Sequence, residues 1–423
     1  MNPSAVGLLL IISGALAIID PSSLLKGLPS FQNFTKFRLR YLEVTKDYPY
    51  GWKDFDCETS LKESDIKDVH HLRPTDIRVI AAVGDSLTAG REALSTSAAE
   101  FGTEYRGVSF DAGGDDSLSK RTTLPNILRK FSPNVTGASS GRRKSPLPQS
   151  LIGDDFNVAV SGSTSENLDE QTIFSPDAFH QRVKEAVETI RDRIPRSFVN
   201  LMPPFNVFSI NETHPTAEFC TQFHSVSCPS LFNLSSTEAQ SIFDSYLSSL
   251  SSIVEELNSP SFAVTLNPAL NLAKLPQLWD TPNFAFLAID CFHFSAFTHD
   301  VAAKLVWENL FSSEKERVNA HNFGSLSLDK VKCPPLNCPY LHTNFTRCTI
   351  TKPAPRVSSV EIKVIEGRGT FSPVLLVMVV GCGLSLLVAS TVLITTGIKR
   401  RLTRNPTERT PLLTAHYYDE HIF

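Results

Sequence analysis

Ser86 is the residue whose surroundings point most directly to chemistry. Val79-Ile80-Ala81-Ala82-Val83 runs straight into Gly84-Asp85-Ser86-Leu87. Five apolar residues, three of them β-branched, read as a fully buried parallel strand. A hydroxyl just beyond the carboxyl end of such a strand lies in the crevice where α/β sheets bind ligands. The N–H groups of the helix start expected there would lie beside it. Ser86 could then attack an acyl carbon while its own N–H donates to the oxyanion. A plain strand-to-helix turn with Ser86 as a cap reads the same way.

A serine nucleophile needs a base, and the base needs an orienting carboxylate. The chain has eleven histidines. One stands in a short motif with an acid ahead of it and a helix after it, Asp290-x-x-His293. Three residues apart in a turn, the carboxylate reaches one imidazole nitrogen and leaves the other to face a serine. A surface acid beside a helix-capping histidine is the alternative. Gly137-Ala138-Ser139-Ser140-Gly141 also matches the G-x-S-x-G elbow, which needs a strand before it and a helix after it. Here a sequon precedes and Arg142-Arg143-Lys144 follows, and residues 131–150 read as a Ser/Pro/Gly-rich surface loop. Ser139 is set aside for that reason. Cys333 and Cys338 lack zinc-site spacing and an accompanying histidine pair, so neither a metal nor a cofactor is expected.

Elements alternate around these residues. Strands are expected at 77–83, 156–160, 197–202 and 262–266. Ser175-Pro176-Asp177 opens a helix with an apolar face at Phe179, Val183, Val187, Ile190 and Ile194. Ser235 and Glu238 form a capping box for a second helix, with Ile242, Tyr246, Leu250, Ile253 and Leu257 inward. A last helix runs from about Ser295 to Phe311. The alternation predicts a parallel sheet covered by helices.

Both ends read as membrane-related. Residues 1–17 read as a signal peptide cut after Ala17. Residues 373–398 form an uncharged apolar stretch long enough to span a bilayer. Lys399, Arg400, Arg401 and Arg404 follow it and place the tail, 399–423, in the cytosol. A single-pass type I membrane protein is expected. Five sequons, Asn33, Asn134, Asn211, Asn233 and Asn344, all precede the span. Seven cysteines precede it too, an odd number in a disulfide-forming compartment. Residues 326–372 read as a Cys/Pro-containing stalk behind a domain at 18–325. A net charge of −4 gives no electrostatic case for nucleic acid.

Gly84-Asp85-Ser86-Leu87, Asn157-x-Ala159-x-x-Gly162 and Asp290-x-x-His293 together resemble the GDSL (SGNH) hydrolase family. Glu104-Tyr105-Arg106-Gly107, Thr123-Leu124-Pro125-Asn126 and Asp290-Cys291-Phe292-His293-Phe294-Ser295 look like its membrane-associated phospholipase B branch. The resemblance covers roughly residues 40–320. It implies a flavodoxin-like three-layer α/β/α sandwich. It also implies Ser86 as nucleophile, His293 as general base and then acid, and Asp290 as its orienting group. The N–H groups of Ser86 and Gly162 would be oxyanion donors. Glycerophospholipids and lysophospholipids would be the substrates, hydrolysed without a metal.

One feature departs from that family. Its Gly-x-Asn-Asp block, on a sheet strand, supplies a third oxyanion donor, and no such block occurs here; Leu168 leads directly through Asp169-Glu170-Gln171-Thr172 to Ile173. One lost donor is worth about 3–4 kcal/mol of transition-state stabilisation. The sequence therefore also fits a catalytically impaired splice form or a pseudoenzyme that binds lipid or acts in sorting. Asn157 and Asn167 are candidate substitute donors. In the tail, Glu408 with Leu412 and Leu413 resembles an acidic dileucine signal read by clathrin adaptors. The expected location is the cell surface, apical or plasma membrane, with routing to endosomes or lysosomes.

Overall fold

In a computed structural model of the chain, the described residues are 30–36, 50–60, 68–144, 155–162, 175–194, 196–204, 219–220, 223–224, 235–269, 286–319 and 331–348. The expected signal peptide, the expected span at 373–398, Glu408, Leu412, Leu413, Asn167, Asn211 and Asn233 lie outside them. No helix among the described residues is long and apolar enough to cross a membrane.

The elements are β1 (Thr103–Glu104), α1 (Leu124–Phe131), β2 (Arg143–Lys144), α2 (Pro176–Arg193), β3 (Ser197–Leu201), α3 (Ser236–Leu257), β4 (Phe262–Leu266), α4 (Ala296–Leu310) and α5 (Glu314–Asn319). Together they make a mixed α/β protein with a small parallel sheet. β3 and β4 pair in parallel, from Ser197↔Phe262 to Leu201↔Leu266. The helices form where local signals demand. Ser175 accepts the Ala178 N–H at 3.3 Å at the start of α2, and Ser235 and Glu238 cap α3 reciprocally. Phe179, Val183 and Val187 of α2 then pack with Leu250, Ile253 and Leu257 of α3 over Phe262, Val264 and Leu266.

The remaining strand segments form a separate ladder. The Ile80 N–H donates to the Thr136 carbonyl at 2.9 Å and that of Ala82 to Phe156 at 3.0 Å. Val158 donates to Ala82 at 2.9 Å and Val160 to Gly84 at 3.0 Å. One face, with Ala82, Asn157 and Ala159, is buried. The other is not: Val79, Val83, Phe156, Val158 and Val160 are 40–55% exposed. The fully buried strand expected at 79–83 is thus half-buried. The reason is physical: α2 and α3 lie over β3 and β4, and among the described residues the N–H groups of Val79, Ala81 and Val83 meet no acceptor. Among the described residues, the parallel sheet expected to be continuous is accordingly in two pieces.

On the far edge of 156–160 a side chain acts where a strand would. The buried Arg106 guanidinium donates to the carbonyls of Asn157 at 2.8 Å and Ala159 at 2.5 Å. Glu104 balances its charge, accepting from Arg106 at 3.2 Å, Arg143 at 2.7 Å and the Ser161 hydroxyl at 2.6 Å.

α4 is buried on nearly every side. It carries an internal Lys304–Asp300 ion pair at 2.7 Å, and its Trp307 stacks on Phe131. Residues 331–348 pack into the same body. Val331 and Leu341 join its core, and the Leu341 N–H donates to the Leu72 carbonyl at 2.7 Å. The expected domain–stalk boundary at 325/326 therefore precedes a packed segment. Residues 131–144 are likewise not a simple surface loop, since Val135, Ala138 and Ser139 are buried. Disulfides join Cys57 to Cys333, Cys220 to Cys291 and Cys338 to Cys348. The seventh cysteine of this region, Cys228, lies outside the described residues.

Candidate active site

Ser86 follows the ladder on a run of tight turns rather than at the start of the expected helix. Gly84 allows it, because a Cβ there would stand 2.6 Å from the Thr88 hydroxyl. Asp85 accepts the Leu87 N–H at 2.7 Å, and the Arg91 N–H returns to the Ser86 carbonyl at 2.9 Å. Gly90 closes the run at φ +64°, where a side chain would strike the Tyr105 carbonyl.

Asp290 and His293 share a second turn ahead of α4. One Asp290 oxygen accepts the N–H groups of Phe292 at 3.1 Å and His293 at 3.0 Å. The other binds the His293 Nδ1. His293 Nε2 lies 2.7 Å from the Ser86 hydroxyl, across 207 positions of sequence. All three side chains are buried. The structure thus brings Ser86, His293 and Asp290 into one hydrogen-bonded line. Burial acts to raise the Asp290 carboxyl, but the facing His293 charge and these hydrogen bonds outweigh it and hold it well below the usual carboxylate range.

A short segment braces this turn. Cys291, at φ +61°, is bonded to Cys220. The His224 Nε2 lies 3.2 Å from the Asp290 carbonyl, and burial lowers the His224 pKa, favouring the neutral ring. Phe292 lies edge-on between the rings of His224 and His293.

Gly162 stands two residues past Val160, as Ser86 stands two past Gly84, and Val160 and Gly84 are hydrogen-bonded. The two N–H groups therefore sit just beyond the carboxyl ends of adjacent segments. Neither has an acceptor among the described residues, and Gly162 adopts φ +85°. Asn157 is not available as a substitute donor. Its amide nitrogen is bound to the Thr88 carbonyl at 3.0 Å and the Ser139 hydroxyl at 3.3 Å. Its oxygen accepts from Arg106 at 3.1 Å and Ala159 at 3.2 Å. Ser139 is buried, and its hydroxyl donates to the Arg106 carbonyl at 2.9 Å. Asn33, Asn134 and Asn344 are exposed, as glycan acceptors must be.

Asp56, Cys57 and Cys333 group closely, but both sulfurs are in a disulfide and cannot act as thiolate ligands. Sequence reasoning singled out Glu104 and Arg106 only within a family-like motif, with no role for either, and missed Glu92 and the Cys220–His224 brace. An acid and an arginine two apart, Glu104 and Arg106, were visible without a partner to explain them.

No family model matches the chain. It is similar to "Phospholipase B1, membrane-associated" of Mus musculus, 29% identical over 367 residues, 74% of this chain and 24% of that protein. The protein of the same name from Rattus norvegicus is 30% identical over 327 residues, 65% of this chain and 22% of the relative. The one from Homo sapiens is 29% identical over the same length. The chain spans less than a quarter of the length of these curated relatives.

Proposed function

We propose that the chain is a phospholipase B-like serine esterase that hydrolyses acyl esters of phospholipids and lysophospholipids. The observation that carries this is the hydrogen-bonded line from Ser86 through His293 to Asp290; the relatives' printed name supplies the substrate class. In this scheme His293 Nε2 takes the Ser86 proton as Oγ attacks the ester carbonyl. The N–H groups of Ser86 and Gly162 receive the oxyanion. Imidazolium then protonates the departing alkoxide, leaving an acyl-enzyme that water cleaves by the reverse proton path. Asp290 holds the ring in the tautomer that presents a free Nε2. No step calls for a metal or cofactor.

The fold is a GDSL-type three-layer sandwich lacking its Gly-x-Asn-Asp strand, a reading supported by the separation of the 77–83 ladder from β3 and β4 among the described residues. The topology is that of a cleaved leader, a stalk, a single span and a cytosolic tail. Glu408, Leu412 and Leu413 would engage a clathrin adaptor, and replacing the leucine pair should then move the protein to the cell surface.

The deciding experiment compares full-length protein with its Ser86→Ala variant on phospholipid micelles and a short-chain ester. Turnover that disappears in the variant supports the proposal; equal turnover overturns it. A second reading, a lipid-binding protein with impaired catalysis, draws on the commitment of the Asn157 amide elsewhere. Vesicle binding without Ser86-dependent turnover would favour it.

A further inference from the structure

The Gly162 N–H belongs to the rigid peptide unit that joins Gly162 to Ser161, so the plane of that unit sets where the N–H points. Val160 is tied to the ladder through its N–H, which donates to the Gly84 carbonyl at 3.0 Å. Gly162 adopts φ +85° and has no side chain to pack. Among the described residues, a Cβ added there would meet no atom within 4 Å. Between the two stands Ser161, whose hydroxyl donates to Glu104 at 2.6 Å.

Glu104 is a fixed acceptor. It is buried on β1 and paired with Arg143 of β2. One of its oxygens accepts from Arg106 at 3.2 Å and Arg143 at 2.7 Å, and the other takes the Ser161 hydroxyl. Burial acts to raise its pKa, but the hydrogen bonds from Ser161 and Arg143 and the charges of Arg106 and Arg143 outweigh it and keep it ionised. The hydroxyl therefore meets a charged acceptor held in place. Arg106 ties the Asn157 and Ala159 carbonyls to the same group. The turns around Ser86 are tied to β1 as well. The Tyr105 N–H donates to the Gly90 carbonyl at 3.0 Å, and the Glu92 N–H to the Thr103 carbonyl at 2.8 Å. Arg91, whose N–H returns to the Ser86 carbonyl, bridges to Glu104.

We infer that Glu104 and Ser161 are positioning residues for the oxyanion hole, their hydrogen bond holding the Gly162 N–H in register with that of Ser86. This inference rests on the Ser86–His293–Asp290 reading. Without the hydroxyl contact the Ser161–Gly162 peptide turns away, and the second donor is lost when charge develops on the ester oxygen. The substrate still binds as before.

The test compares full-length wild-type, Ser161→Ala and Ser161→Thr proteins in turnover of a short-chain ester and in binding of a trifluoromethyl ketone. Ser86 Oγ adds to the ketone carbon, its proton passes to His293, and the carbonyl electron pair moves onto oxygen. The adduct thus calls on the same two N–H groups. In Ser161→Ala, kcat should fall by about 10–100-fold with KM little changed, and ketone affinity should fall by the same factor. Ser161→Thr keeps the hydroxyl and should restore most of both, and the melting temperatures of all three should agree. Unchanged kcat and ketone affinity in Ser161→Ala overturn the inference while leaving Ser86 as nucleophile. So do a kcat loss without a matching loss of ketone affinity, a loss that threonine does not repair, and an unfolded alanine variant, since each gives the hydroxyl another role. Wild-type turnover that is absent, or that survives Ser86→Ala, refutes the Ser86 reading and the inference with it.

Discussion

Cys220 is bonded to Cys291, and Cys291 stands in the turn between Asp290 and His293. The bridge closes a loop spanning 71 positions and also fixes the direction of the turn that presents the imidazole to Ser86. Replacing both cysteines by alanine should cost about 2–4 kcal/mol of stability, from the denatured chain's regained freedom. Ester turnover should fall as well, with kcat affected more than KM, because the ring loses its fixed bearing while the substrate surface stays. Chemical denaturation and steady-state kinetics on the double variant check both.

Asp290→Asn keeps the size of the side chain but puts an amide where Nδ1 needs an acceptor. The histidine is then pushed toward the tautomer with a proton on Nε2, which cannot accept from Ser86. Turnover should drop by about 10³–10⁴-fold with the fold intact. An effect under tenfold would show that His293 does not depend on this carboxylate.

Arg106→Met leaves Glu104 with part of its charge unbalanced and frees two strand carbonyls. Breaking such a buried pair should cost about 3–5 kcal/mol. Arg106→Lys should rescue little, since one ammonium cannot serve both carbonyls and Glu104 together. The double change Arg106→Met with Glu104→Met should cost less than the two single changes summed. Urea titrations of the wild type and these four variants give the answer.

Two buried groups should give stability opposing dependences on pH between about 3 and 7. Burial, then the charges of Arg121 and His293, hold His299 down at about 3, against an ordinary value of 6.5. The unfolded chain therefore takes up this proton first. The stability His299 contributes is complete above pH 6.5 and declines by about 1.4 kcal/mol per unit as pH falls toward 3. Glu92 is raised from 4.5 to about 7, so its contribution is complete below pH 4.5 and is lost as pH rises through 7. Melting temperatures from pH 4 to 9 should show the acid slope shrink in His299→Phe, despite the lost acceptor for the Phe110 N–H. Glu92→Gln should remove the opposing decline between about pH 4.5 and 7.

What could be read in advance was local. Ser175, Ser235 with Glu238, and Ser295 announce their helices because a cap and its N–H partner lie within one turn. Asp290 and His293 meet for the same reason. Their approach to Ser86 spans 207 positions; spacing could not show it, and it rested on the likeness of the motifs. Periodicity placed Val79 and Val83 in a strand but could not say whether both faces would be covered. Arg106 was opaque because its role depends on carbonyls 51 and 53 positions away. Residues 331–348 carry no helical or strand rhythm, so their packing through Val331, Leu341 and two disulfides left no trace in the pattern.

The water-facing row of Val79, Val83, Phe156, Val158 and Val160 carries a practical consequence. An anilinonaphthalene dye, which brightens in oily surroundings, has a resting place on the intact protein before any heat or urea is applied. Its glow therefore reports native surface as well as melting, and a dye-based thermal scan starts from a high baseline. Intrinsic emission from the buried Trp52 and Trp307 is the sounder gauge of unfolding.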